Sequence, residues 1–234
     1  MIGQTLRVRA TNLSEFMDEP ECDTVRLANT YRDFDRINAT VSGWRGAYAR
    51  YLRPTLREAG PGATVLDLGC GGGDILRRLA HWAAQDGLSA SFVGADPDPR
   101  AIHHARAEPT PANLRFVRAT AGEMVSAGER FDIVLSNHVL HHLTDGEVAE
   151  LCGDSVTLAM RLAIHADIHR HPFAYAGFPL IGGWFRDSYI LEDGLRSIRR
   201  AFTPEELRRL APDGWQVRTA FPFRLNLVWE GVSG

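Results

Sequence analysis

The sequence predicts an α/β fold: a doubly wound, mostly parallel sheet of seven strands, with an N-terminal helical cap and a lid insertion. Three observations predict it. From Thr64 onward short apolar runs alternate with amphipathic stretches, the pattern of parallel βαβ units. The first of these runs leads straight into a glycine-rich loop, in TVLDLGCGGGDI. Two further strand-like segments, around GWQVRTAF and FRLNLVWE, close the chain.

Residues 13 to 60 read as helices, because Phe16, Val25, Leu27, Phe34, Ile37 and Val41 recur at near-helical spacing among charges. They form the expected cap, residues 1–60. The expected main domain is 61–234. Its strands are VLDL, SFVGAD, LRFVRA, FDIVLSN and LAIHAD, separated by helices such as ILRRLAHWAA and AIHHARAE. Thr144 followed by Glu147 is a capping box opening the helix before the fifth strand. The aromatic, glycine-containing stretch FAYAGFPLIGGWFRDSYI interrupts the alternation and marks a lid at about residues 168–200. After it, Thr203 is a helix N-cap with Pro204 in the first helical position.

With 234 residues, 44% of them hydrophobic, the chain can bury a full core, and its net charge of -3 offers no basic stripe for nucleic-acid phosphates. Every basic side chain other than histidine is arginine. Lysine Schiff-base chemistry and a P-loop lysine are thereby excluded. Cys22, Cys70 and Cys152 are too few and too scattered for a disulfide framework, which points to a reducing, cytoplasmic compartment. No segment approaches the roughly 20 apolar residues of a membrane span. The sequence leaves the oligomeric state open.

A glycine loop after a buried strand lets backbone N–H groups approach a ligand at a helix start. A dinucleotide fingerprint beginning at Gly69 and Gly71 would need glycine at position 74, where Asp74 stands. That carboxylate is a poor neighbour for a pyrophosphate and argues against a nicotinamide oxidoreductase. Asp67, two residues before Gly69, adds a second negative charge and suits a ligand carrying an amine or a sulfonium. Asp96, at the end of the second strand, is placed to accept hydrogen bonds from ribose hydroxyls.

At these residues the sequence resembles the class I S-adenosylmethionine-dependent methyltransferases, whose sheet is Rossmann-like. VLDLGCGGGD looks like their first motif, GADPDP like their ribose motif, and FDIVLSNHVLHHL like the strand and loop that follow the adenine segment. The likeness covers about residues 60 to 170. Within the family it is most similar to small-molecule enzymes that include the ubiquinone and menaquinone C-methyltransferases. The cap and GLRSIRRAFTPEEL look like those of bacterial relatives associated with polyketide-type products of secondary metabolism. The resemblance implies S-adenosyl-L-methionine as cofactor, with Asp67, Gly69 and Gly71 along its methionine part, Asp96 on its ribose and Pro97 bordering its adenine. Thr120 stands where the family often has an adenine-binding acid, and Asn137 would lie nearest the cofactor.

Methyl transfer from a sulfonium needs alignment and exclusion of water, and a phenol acceptor also benefits from a base. Three histidines follow the fourth strand in NHVLHHL, at the carboxyl edge where ligands bind, and of these His141 and His138 are candidate bases. After the fifth strand, in ADIHRHPF, His169 beside Asp167 is a third candidate, and Arg170 could bind an acidic or carbonyl group. His138, His141, His165 and His169 lack any metal-specific spacing, so no metal is expected. The aromatics of 173–185, with Tyr31, Phe34 and Trp44, are expected to line an apolar acceptor pocket. Together these readings point to methyl transfer to a small phenolic, quinonoid or polyketide-like acceptor, with oxygen slightly preferred. The alternatives are transfer to a ring carbon and a non-catalytic cofactor-binding partner.

Overall fold

The computed structural model describes residues 6–231. The first five residues of the expected cap and the last three of the chain lie outside them. Seven strands form one sheet in the order β3-β2-β1-β4-β5-β7-β6. They are β1 (Ala63–Leu68), β2 (Ala90–Asp96), β3 (Leu114–Arg118), β4 (Phe131–Asn137), β5 (Ala159–Ile168), β6 (Gln216–Ala220) and β7 (Arg224–Glu230). The first five run parallel, and β7 pairs antiparallel with both β5 and β6. The expected seven-stranded, mostly parallel sheet is therefore the sheet observed. The order reverses between β1 and β4, so the connections leave a crevice at the carboxyl ends of the central strands.

The near-continuous apolar runs in the sequence belong to strands covered on both faces. Successive side chains alternate between two layers. Val65, Phe92, Ile133 and Leu135 pack on one face with Trp44, Leu52 and Leu76. Leu66, Val93 and Val134 pack on the other with Leu140, Val148, Leu158 and Leu207.

The N-terminal helices are α1 (Thr24–Val41), α2 (Trp44–Ala47), a π turn (Tyr48–Leu52) and α3 (Arg53–Ala59). Asp23 caps α1 by accepting the N–H groups of Val25 and Arg26. Next come α4 (Asp74–Gln85), α5 (Pro99–Ala107), α6 (Ala121–Ser126) and α7 (Asp145–Leu158), one after each of the first four strands. The capping box at Thr144 and Glu147 opens α7 as expected. The same pattern at Thr120 and Glu123, overlooked in the sequence, opens α6. After β5 come α8 (Pro172–Gly182), α9 (Ile190–Arg200) and α10 (Pro204–Leu210), the last capped by Thr203 with Pro204 inside its first turn.

The aromatic stretch of α8 departs from expectation. Phe173 is 74% exposed and Trp184 85% exposed, while Trp44 is buried in the core. Of the residues 173–185 only Phe178 reaches the cavity described below, which Tyr31 and Phe34 also line. The apolar character of α8 is spread around the helix rather than gathered on the face turned to the cavity, so most of its large side chains face outward. None of the described helices is long and apolar enough to cross a membrane.

Candidate active site

A cavity of about 680 Å³ opens at the carboxyl ends of β1, β2 and β4, lined by Asp67, the glycine loop, Asp96, Pro97, Thr120, Asn137 and His141 among others. The loop owes its path to glycine. Gly69 sits at φ 70° with Val139 Cγ2 2.7 Å from where a Cβ would stand, and Gly73 sits at φ 78° with Phe116 at 2.3 Å. Both positions combine left-handed backbone with no room for a side chain. Gly73 then serves as the N-cap of α4, so the helix starts at the cavity wall.

Carboxylates ring this loop. Asp96 Oδ2 accepts the Gly71 N–H at 2.8 Å and Oδ1 accepts that of Asp98 at 2.9 Å, which ties the end of β2 to the glycine loop. Asp74 Oδ2 accepts from the Asn38 side chain at 2.9 Å, joining α4 to α1. Asp67 is buried, and its Oδ1 has no hydrogen-bond partner among the described residues. Burial, then Asp74 and Asp96, push the Asp67 carboxyl well above its ordinary range. Burial likewise raises those of Asp74 and Asp96. Three crowded acids, one holding an orphaned oxygen, fit a ligand that brings positive charge and N–H or O–H donors. An ammonium, a sulfonium and ribose hydroxyls are such groups.

Pro97 and Thr120 form the neighbouring wall. Thr120 is committed to its capping box: its hydroxyl lies 3.1 Å from Glu123 Oε2 and accepts the Glu123 N–H at 3.2 Å. At the end of β4, Asn137 Oδ1 accepts from Trp44 Nε1 and from Arg224 Nη2, each at 2.9 Å.

The three candidate histidines do not come together. His138 and His141 are neighbours, with ring centroids 5.9 Å apart and nearly edge-on. His138 adopts φ 60°, and its Nε2 lies 2.5 Å from Arg224 Nη1. Because a guanidinium only donates, that nitrogen accepts and the ring is neutral. Burial and Arg224 hold its pKa well below the usual value. His169 lies outside the cavity lining; its backbone N–H donates to Phe223 O at 2.8 Å and its ring meets His171 at 5.2 Å. Asp167, the expected partner of His169, turns instead to His141; β5 ends at Ile168, and His169 beyond it is held through its backbone to Phe223.

His141 is buried between two carboxylates. Its Nδ1 lies 2.8 Å from Asp167 Oδ1 and its Nε2 3.1 Å from Glu15 Oε1. Burial opposes a charge on the ring, but Asp167 and Glu15 outweigh it and raise the His141 pKa to about 9. The same cation lowers the pKa of Glu15 to about 2 and holds that of Asp167 far down, each against the effect of burial.

Glu15 also accepts from Ser197 Oγ at 2.7 Å, so the acid that faces His141 is fastened to α9. Beside it Asp193 accepts the N–H groups of Phe16 and Met17 at 2.7 and 3.0 Å. The N-terminal segment is thus laced to α9 across the cavity.

One further expectation is corrected. Arg170 is buried and bound to Leu6 O, Ala201 O and Glu206, so it holds chain segments together and has no free edge for an acceptor. His165 stacks on Trp215 with Ser136 Oγ at 2.8 Å from its Nδ1. Glu15, Arg224 and Ser197 were missed by sequence reasoning, and Trp44 was read as pocket lining rather than as a donor to Asn137. Glu15 lies in a run of acids that reads as a solvated surface, and Arg224 lies 86 positions from the histidine it touches. The signal for Arg224 is its place at the start of the strand paired with the end of β5.

The family described as a methyltransferase domain matches residues 65–158. Among curated proteins, the ubiquinone biosynthesis O-methyltransferase of Ruegeria sp. is 30% identical over 178 residues, 74% of this chain and 66% of its own. That of Cereibacter sphaeroides is 31% identical over 62% of this chain and 57% of its own. That of Azorhizobium caulinodans is 39% identical over 43% of this chain and 36% of its own. The chain belongs to the class I S-adenosylmethionine-dependent methyltransferases.

The cofactor of that family is S-adenosylmethionine, and the acidic ring around the glycine loop fits it. The chain spans between about a third and two thirds of the length of the curated relatives it matches. Its fold is also that of the plantazolicin methyltransferase BpumL in complex with SAH, at TM-score 0.65 and 13% identity over 98% of this chain and 97% of the other. The magnesium protoporphyrin IX methyltransferase of Synechocystis PCC 6803 with bound SAM shares it at TM-score 0.51 and 17% identity, over 90% of this chain and 98% of the other.

Proposed function

We propose that this protein methylates a small phenolic, quinonoid or polyketide-like acceptor, at oxygen in preference to ring carbon. The observation that carries the reading is the His141–Asp167 pair beside the cofactor cavity. The relatives named as ubiquinone biosynthesis O-methyltransferases support a quinone-type acceptor and transfer to oxygen. Three free cysteines, none in a disulfide among the described residues, support a reducing cytoplasm.

S-adenosylmethionine supplies a methyl group on a sulfonium, already a good leaving group. The protein's own residues align and deprotonate. Asp67, Gly69 and Gly71 hold the methionine part, Asp96 the ribose, and Pro97 and Thr120 border the adenine. Asn137, fixed by Trp44 and Arg224, separates cofactor from acceptor. The acceptor hydroxyl takes the place of Glu15 on His141 Nε2. A phenol of pKa about 10 is a poor nucleophile until it loses its proton. In the neutral-ring form, populated as pH rises toward about 9, the proton passes to Nε2, and the Asp167 carboxylate stabilises the imidazolium so formed. A phenolate then replaces one anion by another against the same cation. His138, held neutral by Arg224, keeps its proton on Nδ1 as a donor for the acceptor. His169 takes no part. Residues up to about 60 act as the cap, and about 168–200 as the lid.

The test is methyl-¹³C S-adenosylmethionine incubated with catechols, hydroquinones and aromatic polyketides, the label being traced by NMR. Label in a methoxy group is the expected result. Label on an aromatic carbon would overturn oxygen transfer, and cofactor binding without turnover on any acceptor would favour a non-catalytic partner.

A further inference from the structure

Trp44 has a second face. Behind it, between α2, the π turn, Trp82 of α4 and the β6–β7 hairpin, lies a separate cavity of about 650 Å³. That volume is in the range of small-molecule sites. Arg45, Arg50, Arg208 and Arg218 line it, and no aspartate or glutamate does. The gathering is against the composition of the chain, which has 29 acidic and 26 basic residues. A solvated arginine face would carry acids interspersed, as the surface of α10 does, where Arg208 meets Glu205 at 3.5 Å. Arg45, Arg50 and Arg218 have no carboxylate partner in an ion pair among the described residues.

Two of these cations are already set on aromatic rings. The Arg45 guanidinium lies 5.0 Å from the Trp82 ring centroid and that of Arg50 5.3 Å from Tyr51. Arg218 donates to the Gln216 side-chain oxygen at 2.5 Å. Like charges converging on one concavity repel each other, and each guanidinium keeps donor edges that match a carboxylate or phosphate. The rings of Tyr51, Trp82 and Phe221, together with Trp44, supply flat apolar surface between the charges. Asn38 lines this cavity and the cofactor cavity alike, and the Trp44 indole reaches Asn137 through the shared wall.

We propose that this cavity is a second ligand site, for a flat aromatic compound bearing a carboxylate or a phosphate. The anion sits among Arg45, Arg50 and Arg218, and the ring system lies against Trp82 and Tyr51. The site is separate from the cofactor cavity and independent of the chemistry assigned to His141.

The test is titration of the full chain, saturated with S-adenosylhomocysteine, with 2-naphthoate, 2-naphthyl phosphate and neutral 2-naphthol, followed by calorimetry and tryptophan fluorescence. At least one anionic probe is expected to bind saturably, tenfold or more tighter than naphthol, and to weaken as salt rises. Preference for the carboxylate or the phosphate identifies which anion the site takes. The double variant Arg45→Gln/Arg50→Gln, and separately Arg218→Gln on the facing hairpin, are each expected to weaken that binding tenfold or more while leaving S-adenosylhomocysteine affinity and the melting temperature unchanged. Equal binding of naphthol, anion binding untouched in both variants, or no saturable binding of either anion overturns the proposal.

Discussion

The Asp167 carboxylate holds His141 at two points: Oδ1 lies 2.8 Å from the ring Nδ1, and Oδ2 accepts the His141 backbone N–H at 2.8 Å. One side chain at the end of β5 therefore fixes both the backbone of the loop after β4 and the orientation of the ring. That leaves Nε2 directed toward Glu15, and in the proposed reaction it is the nitrogen that takes the proton.

Asp167→Asn keeps the size of the group and removes its charge. An amide turned with its NH₂ toward Nδ1 stabilises the wrong tautomer, the effect known from triads in which the orienting acid is amidated. The expected loss in kcat is on the order of 100-fold to 10,000-fold. Affinity for S-adenosylhomocysteine is expected to stay at the wild-type value, since Asp167 does not line the cofactor wall. Calorimetry beside steady-state kinetics checks this. A variant that loses both in parallel would show that Asp167 supports the fold and not the chemistry.

Glu15 sets the pH at which His141 can accept a proton. With Glu15 and Asp167 both ionised the ring's pKa stands at about 9, so the ascending limb of kcat/KM rises through that pH. Glu15→Gln removes one of the two anions that favour the imidazolium, and the limb is expected to move to lower pH. The activity ratio of variant to wild type is then greatest near neutrality and shrinks toward pH 9 and above. A pH profile with an unmoved limb would take Glu15 out of the proton equilibrium.

The sheet and the glycine-loop side of the cavity were legible in the sequence because both are local. VLDL, the glycine loop and Asp96 are set by strand alternation and by turns that only glycine can make, and these signals lie within a few residues of each other. On the far side only His138 and His141 were legible, and their partners were not. Glu15, Asp167, Arg224 and Ser197 converge from four distant parts of the chain, and no periodicity links them. Nearest neighbours misled: His169 adjoins Asp167 by two positions, yet the carboxylate chose His141, 26 positions away. The aromatic run of α8 misled for another reason. Composition announces apolar surface but does not say which face it occupies, and Phe173 and Trp184 turn outward.

Asp96 holds the glycine loop and, in the proposed binding mode, the ribose as well, so its loss is expected to act twice. Asp96→Ala removes an acceptor for the ribose hydroxyls and releases the Gly71 N–H that now donates to it at 2.8 Å. A hydrogen bond to a charged group contributes about 1.5–3 kcal/mol. Affinity for S-adenosylmethionine is expected to fall by roughly 100-fold or more, since each 1.4 kcal/mol is about tenfold. Asp96→Asn retains one acceptor oxygen and is expected to fall between the two. Calorimetric titration with S-adenosylmethionine and S-adenosylhomocysteine measures both; an unchanged Kd in Asp96→Ala would move the ribose elsewhere.

The buried cluster also ties stability to pH, and the sign differs for its members. His141 has a folded pKa of about 9, above the ordinary 6.5, so its contribution is full below about 6.5 and is lost as pH rises through 9. Glu15 has a folded pKa of about 2, below the ordinary 4.5, so its contribution is full above about 4.5 and is lost as pH falls through 2. The two act together between those limits. The melting temperature of the wild type is expected to decline from about pH 6.5 to pH 9 relative to His141→Gln, which lacks the titrating ring. That variant leaves Glu15 and Asp167 buried without their cation, so it is also expected to be the less stable protein across neutral pH, by an amount that narrows toward pH 9. Thermal unfolding of the two proteins at half-unit steps of pH reads the difference directly, and a gap that stays constant from pH 6 to pH 9 would mean that His141 does not carry the charge its two carboxylates assign to it.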